Sequence, residues 1–350
     1  MTLHFAPPVT EHRLETSRHT TFYLASGPED GPVMIFTHGW PECSRSWRSQ
    51  LPFFAAMGFR AIAPDMRGYG QTSVYDTHES YRQELIVQDM IELLDSLGAE
   101  RAVWVGHDWG SPVAWNVASH HPDRCYGVAN LCVPYATVER GIDALTELVD
   151  RSIYPEDRFP VGQWDYQCFY EENFEKATAE MDANPRNAVK ALFQKGTAEG
   201  YGEPAFTSFV RENNGWFPGM TEAPDVPLDT DVVTEDDLQV YVNSLEENGF
   251  FGPNSWYMNH QANEDYFQKA ENGGVIEMPV LFIAAKYDHV CESVNSRLGE
   301  PMRNNCKNLT ETLVVSGHWM AQEKPAQVNR ELAKWLTTTG ILEKLFPAEG

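Results

Sequence analysis

No CxxC pair occurs among the six cysteines of this 350-residue chain, which stand alone at Cys43, Cys125, Cys132, Cys168, Cys291 and Cys306. Isolated cysteines in a chain of this length read as free thiols and exclude a disulfide scaffold or a cysteine-built zinc site. Basic charge is scarce: 26 Lys and Arg face 51 Asp and Glu, for a formal net charge of −25. Such a surface repels phosphate, so nucleic acid is not an expected partner. Anionic membrane surfaces are disfavoured for the same reason. No apolar run approaches the ~18 residues that a membrane span needs, so no membrane insertion is expected. The opening MTLHFAPPVTEHRLETSRH lacks a basic segment followed by an apolar one, and the closing LFPAEG carries no SKL-type address. The expected location is therefore cytoplasmic. Internal repeats and low-complexity tracts are missing as well.

What is present is a core. Hydrophobic residues make up 42% of the chain, and the length allows one large domain with a sizeable insertion. Short apolar runs alternate with helical patterns. VMIFTHGW (33–40), FRAIAPD (59–65), AVWVG (102–106) and CYGVANLCVP (125–134) read as strands. SWRSQLPFFAAMG and YRQELIVQDMIELLDSLG (81–98) read as helices, the second with apolar residues near every third or fourth position and a closing glycine. The alternation stops near Tyr135 and resumes at MPVLFIAAKYD (278–288) and NLTETLVVSGHW (308–319), with a helix at KPAQVNRELAKWLTT. This pattern predicts an α/β fold, a mostly parallel, doubly wound sheet interrupted by a helical insertion. Its core is 1–134 and 271–350, and 135–270 is a helical cap. The insertion is the acidic part, with 25 Asp and Glu against 8 Lys and Arg between 141 and 270.

The chemistry starts at GHDWG (106–110), between the AVWVG strand and the helical SPVAWNVASHH. A strand that turns at once into a helix places Asp108 at a helix N-terminus, where free N–H groups and the macrodipole favour negative charge. Hydrolases mount a nucleophilic serine on such a turn. The bland alternative is an N-cap. Asp288, in KYDHV, and His318, in SGHWM, each follow another strand. In a doubly wound sheet the reactive groups gather at the carboxyl ends of the strands. The chain order of nucleophile, acid and histidine is that of an α/β-hydrolase core. HGWP (38–41) ends the first strong strand, and its loop can pair an N–H with the one after the nucleophile. That nominates the N–H groups of Trp40 and Trp109 as an oxyanion hole. His38 reads as structural, and the bond before Pro41 is a candidate for cis.

Taken together, HGWPE, DMRGYGQTS, GHDWG, KYDHV and GHWMAQEKP resemble the soluble epoxide hydrolase family of α/β-hydrolases, over most of the span from Val33 to Trp335. The resemblance implies two cap tyrosines that hold and protonate an epoxide oxygen. WDYQCFY (164–170) is similar to one segment that carries them and gives Tyr166; NSWYMN (254–259) is similar to the other and gives Tyr257. Tyr154, Tyr170, Tyr201 and Tyr241 compete for the same role. The implied partners are a small apolar epoxide and water, with no cofactor and no metal.

An aspartate suits that substrate. Epoxide carbon is saturated, so opening is a displacement by an ionised nucleophile that forms an alkyl ester. The departing oxygen needs an acid, and phenols with pKa near 10 serve. His318, oriented by Asp288, then activates water against the ester carbonyl, and charge develops towards Trp40 and Trp109. The nearest rival is a haloalkane dehalogenase, which shares the fold and the aspartyl ester but binds halide through indole or amide N–H groups. HGWP, GYGQTS and the two tyrosine segments favour the epoxide enzyme. A non-catalytic binding protein on the same fold is a further alternative, and the complete triad argues against it.

Overall fold

The chain lays down eight strands: β1 (Val9–Glu15), β2 (Thr20–Ser26), β3 (Val33–Thr37), β4 (Arg60–Pro64), β5 (Ala102–His107), β6 (Cys125–Leu131), β7 (Ile276–Ala285) and β8 (Cys306–Val314). They form one sheet in the order β1-β2-β4-β3-β5-β6-β7-β8. In this computed structural model residues 7–347 are described, so the terminal MTLHFA and AEG lie outside the described residues, as do the readings made on them.

β3 to β8 run parallel, and the β1–β2 and β2–β4 pairs are antiparallel. β3 and β5 are buried along their whole length, as befits strands covered by helices on both faces. β8 differs: KNLTETL is polar except for Leu309 and Leu313 and is largely exposed. Charged side chains on such an edge discourage pairing with a second sheet. The two N-terminal strands are an addition to the sequence reading. VTEHRLE is polar and mostly exposed, so it carries no buried-strand signal; pairing with TTFYLAS fixes it.

Helices α1 (Leu51–Ala56), α2 (Gln83–Ser96) and α3 (Gly110–His120) pack on the first half of the sheet. α3 buries all its residues but the last. Between β6 and β7 the described residues form no strand. They hold α4 (Ile142–Glu147), α5 (Asp165–Asp182), α6 (Pro185–Leu192), α7 (Glu235–Asn248), α8 (Phe251–Ser255) and α9 (His260–Phe267). α7 starts at Glu235, at the end of the acidic, proline-bearing stretch EAPDVPLDTDVVTEDD (222–237). Thr234 caps it by accepting the Asp237 N–H, which satisfies one of the orphan donors of a first turn. α10 (Glu300–Asn305), α11 (Met320–Glu323), α12 (Pro325–Thr338) and α13 (Ile341–Leu345) complete the chain. No helix among the described residues is long and apolar enough to cross a membrane.

Candidate active site

β5 ends at His107 and α3 begins at Gly110, leaving two residues for the reversal. Asp108 takes up the strain, with φ at 50°. A non-glycine residue there costs on the order of 1–3 kcal/mol, and Asp and Asn bear it better than most. The flanking glycines are required by contact. A Cβ on Gly110 would lie 2.1 Å from Thr37 O, and one on Gly106 would lie 2.4 Å from Asn130 Oδ1. The carboxylate does not cap α3, whose N-cap position is Trp109 with no side-chain bond. It turns instead towards the HGWP loop, where the Trp40 N–H donates to Asp108 Oδ1 at 2.6 Å. Gly39 passes so close that a Cβ there would sit 2.2 Å from the same oxygen. The Trp40–Pro41 bond is cis. Neutral His38 fixes this loop: its Nε2 accepts the Met66 N–H and its Nδ1 donates to Gly39 O, each at 2.9 Å.

The other two predicted residues meet Asp108 at the carboxyl ends of their strands. His318 Nδ1 donates to Asp288 Oδ2 at 2.6 Å, and its Nε2 lies 3.4 Å from Asp108 Oδ2. Asp288 Oδ1 accepts the N–H groups of Val290 and Cys291. Burial opposes charge on His318, but the Asp288 carboxylate and hydrogen bonds to Asp108 and Asp288 outweigh it and hold the imidazole pKa well above its usual 6.5. Burial likewise pushes the Asp288 carboxyl up; His318 and the two N–H groups reverse the sign and bring it down.

A second buried network supports the first. Glu42 Oε2 accepts the Gly39 N–H at 3.0 Å and His107 Nδ1 at 2.8 Å, while Glu42 Oε1 accepts from Gln322 Nε2 at 2.8 Å. His107 Nε2 donates to the backbone carbonyl of His318 at 2.8 Å. Both His107 nitrogens therefore donate, which requires the imidazolium. Burial opposes that charge, and Glu42 outweighs burial and raises the pKa to about 10. The network ties the Trp40 loop, the strand before Asp108 and the His318 loop together. A further tie reaches the insertion: Glu323 Oε2 accepts both the Gly317 N–H at 2.8 Å and the Gly196 N–H at 3.1 Å. The two backbones touch there, since a Cβ on Gly196 would lie 2.2 Å from Gly317 Cα.

Above the triad is a cavity of about 450 Å³, lined by Asp108, Asp288, His318, Trp40, Tyr166 and Tyr257 among others. Tyr166 comes from α5 and Tyr257 from the turn after α8. Their ring centres are 5.5 Å apart, nearly perpendicular, and the Tyr257 ring stands edge-on to Trp109 at 5.2 Å and to Trp40 at 6.1 Å. Burial first, with the charge of Asp108 among the further causes, keeps both phenols well above their ordinary pKa. They are donors at any physiological pH. The competing tyrosines lie elsewhere. Tyr154 accepts the Ala205 N–H, Tyr241 bonds Ser46, Tyr170 stacks behind Tyr257, and Tyr201 faces Tyr287 and His289.

A profile for the alpha/beta hydrolase fold matches residues 32–162. The chain is 31% identical to epoxide hydrolase A of Mycobacterium tuberculosis over 333 residues, covering 94% of this chain and 97% of that one. The chain belongs to the epoxide hydrolase family. It is also 34% identical to the bifunctional epoxide hydrolase 2 of Sus scrofa over 310 residues, but spans only about half of that protein, 52%. Among solved structures, epoxide hydrolase A from Mycobacterium thermoresistibile superposes with a TM-score of 0.75 at 28% identity, over 94% of this chain and 98% of that one.

Within this family member the structure brings together all seven residues named from sequence. Asp108, Asp288, His318, Tyr166, Tyr257 and Trp40 line one cavity, and Trp109 packs against Tyr257. The Trp109 N–H does not bond the carboxylate; the Trp40 N–H does. Sequence reasoning missed Glu42, His107, Gln322 and Glu323. All four stand inside quoted motifs, HGWPE, GHDWG and GHWMAQEKP, but each has a partner far along the chain, so spacing alone gave no signal.

Proposed function

We propose that this protein hydrolyses an epoxide to a vicinal diol through a covalent ester on Asp108. The observation that carries the reading is the pair of protonated phenols, Tyr166 and Tyr257, across one cavity from a carboxylate backed by a histidine. Asp108 Oδ2 attacks a ring carbon from the side opposite the C–O bond that breaks. The ring oxygen leaves towards the tyrosines and takes a phenolic proton. Asp108 Oδ1, against the Trp40 N–H, becomes the ester carbonyl oxygen. Residues 1–134 and 271–350 act as the core in this proposal, and 135–270 as the cap that carries the phenols.

The charge change at Asp108 then prepares the second step. In the free enzyme its carboxylate helps keep His318 protonated. Esterification removes that charge, so His318 gives up its proton, which makes good the one the phenol lost to the ring oxygen, and its Nε2 becomes a base. Water deprotonated by His318 attacks Cγ of Asp108, charge passes to Oδ1 and the Trp40 and Trp109 N–H groups receive it. Collapse expels the diol and regenerates the carboxylate. Asp288 stabilises the imidazolium formed on the way. The dehalogenase alternative would use the indole N–H of Trp109, the residue after the nucleophile, so the tryptophans do not separate the two readings; the two buried phenols on the wall of the same cavity favour the epoxide.

The test is a panel of aryl, alkyl and small epoxides beside matched chloroalkanes, with diol and halide both measured. Diol without halide is expected. Efficient halide release without diol overturns the reading.

A further inference from the structure

The cavity over the triad has a neighbour. A second cavity of about 340 Å³ is walled by Leu192, Phe206, Trp216, Phe217, Pro224 and Val226, and it shares Leu192, Phe206 and Trp216 with the first. An aromatic line leads to it. Trp40 stacks on Trp216 at 5.6 Å, and Trp216 meets Phe206 at 6.0 Å. Phe206 is 59% exposed, so its ring is free to turn and join the two spaces. An apolar concave wall that continues from the catalytic cavity suits the apolar part of a substrate.

Charge decides what enters. The second cavity has no charged side chain on its wall, and its amide, Gln194, donates to the carbonyls of Lys190 and Pro227. Only one lysine or arginine lines the first cavity, Lys195, and its Nζ is bound to Asp231 at 2.5 Å. Lys190, on the neighbouring turn of α6, is bound to Asp225. Glu199, also on the wall of the first cavity, makes no salt bridge among the described residues. A carboxylate at the far end of a substrate therefore meets Glu199 at the wall, finds the one nearby lysine already paired with Asp231, and loses part of its water against an apolar wall, which is unfavourable without a partner.

On the footing of the proposed epoxide chemistry, we propose that the substrate is an uncharged epoxide whose apolar chain reaches across Phe206 into the second cavity. Epoxides bearing a terminal carboxylate, such as free epoxy fatty acids, are rejected. Terminal epoxides too short to reach the second cavity are turned over less efficiently.

The test pairs 10,11-epoxyundecanamide with 10,11-epoxyundecanoate, which differ in charge and hardly in size. A preference for the amide in kcat/KM of about 30-fold or more is expected at pH 8, from the unfavourable burial of an unpaired carboxylate. It should persist in high salt, because desolvation, unlike long-range repulsion, is not screened. Asp231→Asn, which releases Lys195, should narrow the gap severalfold. Val226→Trp, which fills the second cavity, should lower the preference for 1,2-epoxydecane over 1,2-epoxypropane. Binding separates this inference from the reaction on which it rests. Unreactive decanamide should bind and quench tryptophan fluorescence, and decanoate should bind at least tenfold more weakly. If decanamide binds selectively while no epoxide yields diol, the pocket assignment stands and the reaction falls. Equal binding and turnover of acid and amide, or a length preference untouched by Val226→Trp, overturns the inference.

Discussion

Asp108→Asn should lower the proton affinity of His318 in the free protein. The replacement keeps the shape of the side chain and a residue type that tolerates the left-handed φ of 50°, so the turn should survive. It removes one negative charge 3.4 Å from Nε2. At that separation and an effective dielectric of about 20, the lost attraction is about 5 kcal/mol, roughly three to four powers of ten in proton affinity. The His318 side chain is 21% exposed and that of Asp108 16%, so water screens part of it. A drop of about one to three powers of ten is the working expectation. The assay is an NMR titration of the His318 ring in wild type and variant. The sign also appears in stability. A histidine whose folded pKa is raised stabilises the fold fully below about pH 6.5 and loses that contribution as pH rises through the folded value. In Asp108→Asn that contribution should be smaller, and its loss should be complete at lower pH. A His318 pKa unchanged or raised by Asp108→Asn would refute the idea that esterification frees the base.

His318→Gln should still open epoxides but not release product, so intact-protein mass spectrometry should show one substrate mass added; no adduct, with substrate bound, contradicts the two-step scheme. Tyr166→Phe and Tyr257→Phe should each slow epoxide opening by about 10- to 1000-fold, as expected for the loss of a general acid or an oxyanion donor. The double variant should be nearly inactive; tyrosines dispensable for diol formation contradict their role. Glu323→Ala leaves the Gly196 and Gly317 N–H groups without their acceptor, at about 1–3 kcal/mol for each that stays buried. It should lower the melting temperature and slow ester hydrolysis more than ester formation, with Glu323→Gln restoring most of both. Equal slowing of the two steps would mean that Glu323 does not position His318.

The fold was legible where a strand is buried on both faces. VMIFT, AVWVGH and VLFIAA are apolar runs without a polar face, and only a parallel sheet covered by helices buries them. β1 was illegible for the opposite reason: it is a polar edge strand whose place comes from pairing with β2. Asp108 and Asp288 were legible because each follows such a run; His318 follows the largely exposed edge strand β8 and was legible from the LVVS run before it and the chain order of the three. Tyr166 and Tyr257 were not, from pattern alone. They arrive through separate helical segments, and only resemblance picked them from six candidates. The cap aromatics show the same limit. Phe206 and Trp216 line the triad cavity, Phe217 joins them in the second, and Phe193, Phe250 and Trp256 are buried core, a division that no spacing announces. The Glu42–His107 pair is a matter of three-dimensional encounter, with no local periodicity to betray it.

The most direct test of the central claim is a single turnover in heavy-oxygen water with enzyme in excess over epoxide. If Asp108 forms the ester and water attacks its carbonyl carbon, the heavy oxygen stays on the enzyme. Peptide mass spectrometry should then find it in the carboxylate of Asp108, and the first diol released should be unlabelled. Label in that first diol, with Asp108 unlabelled, would mean that water opens the epoxide directly and would contradict the account.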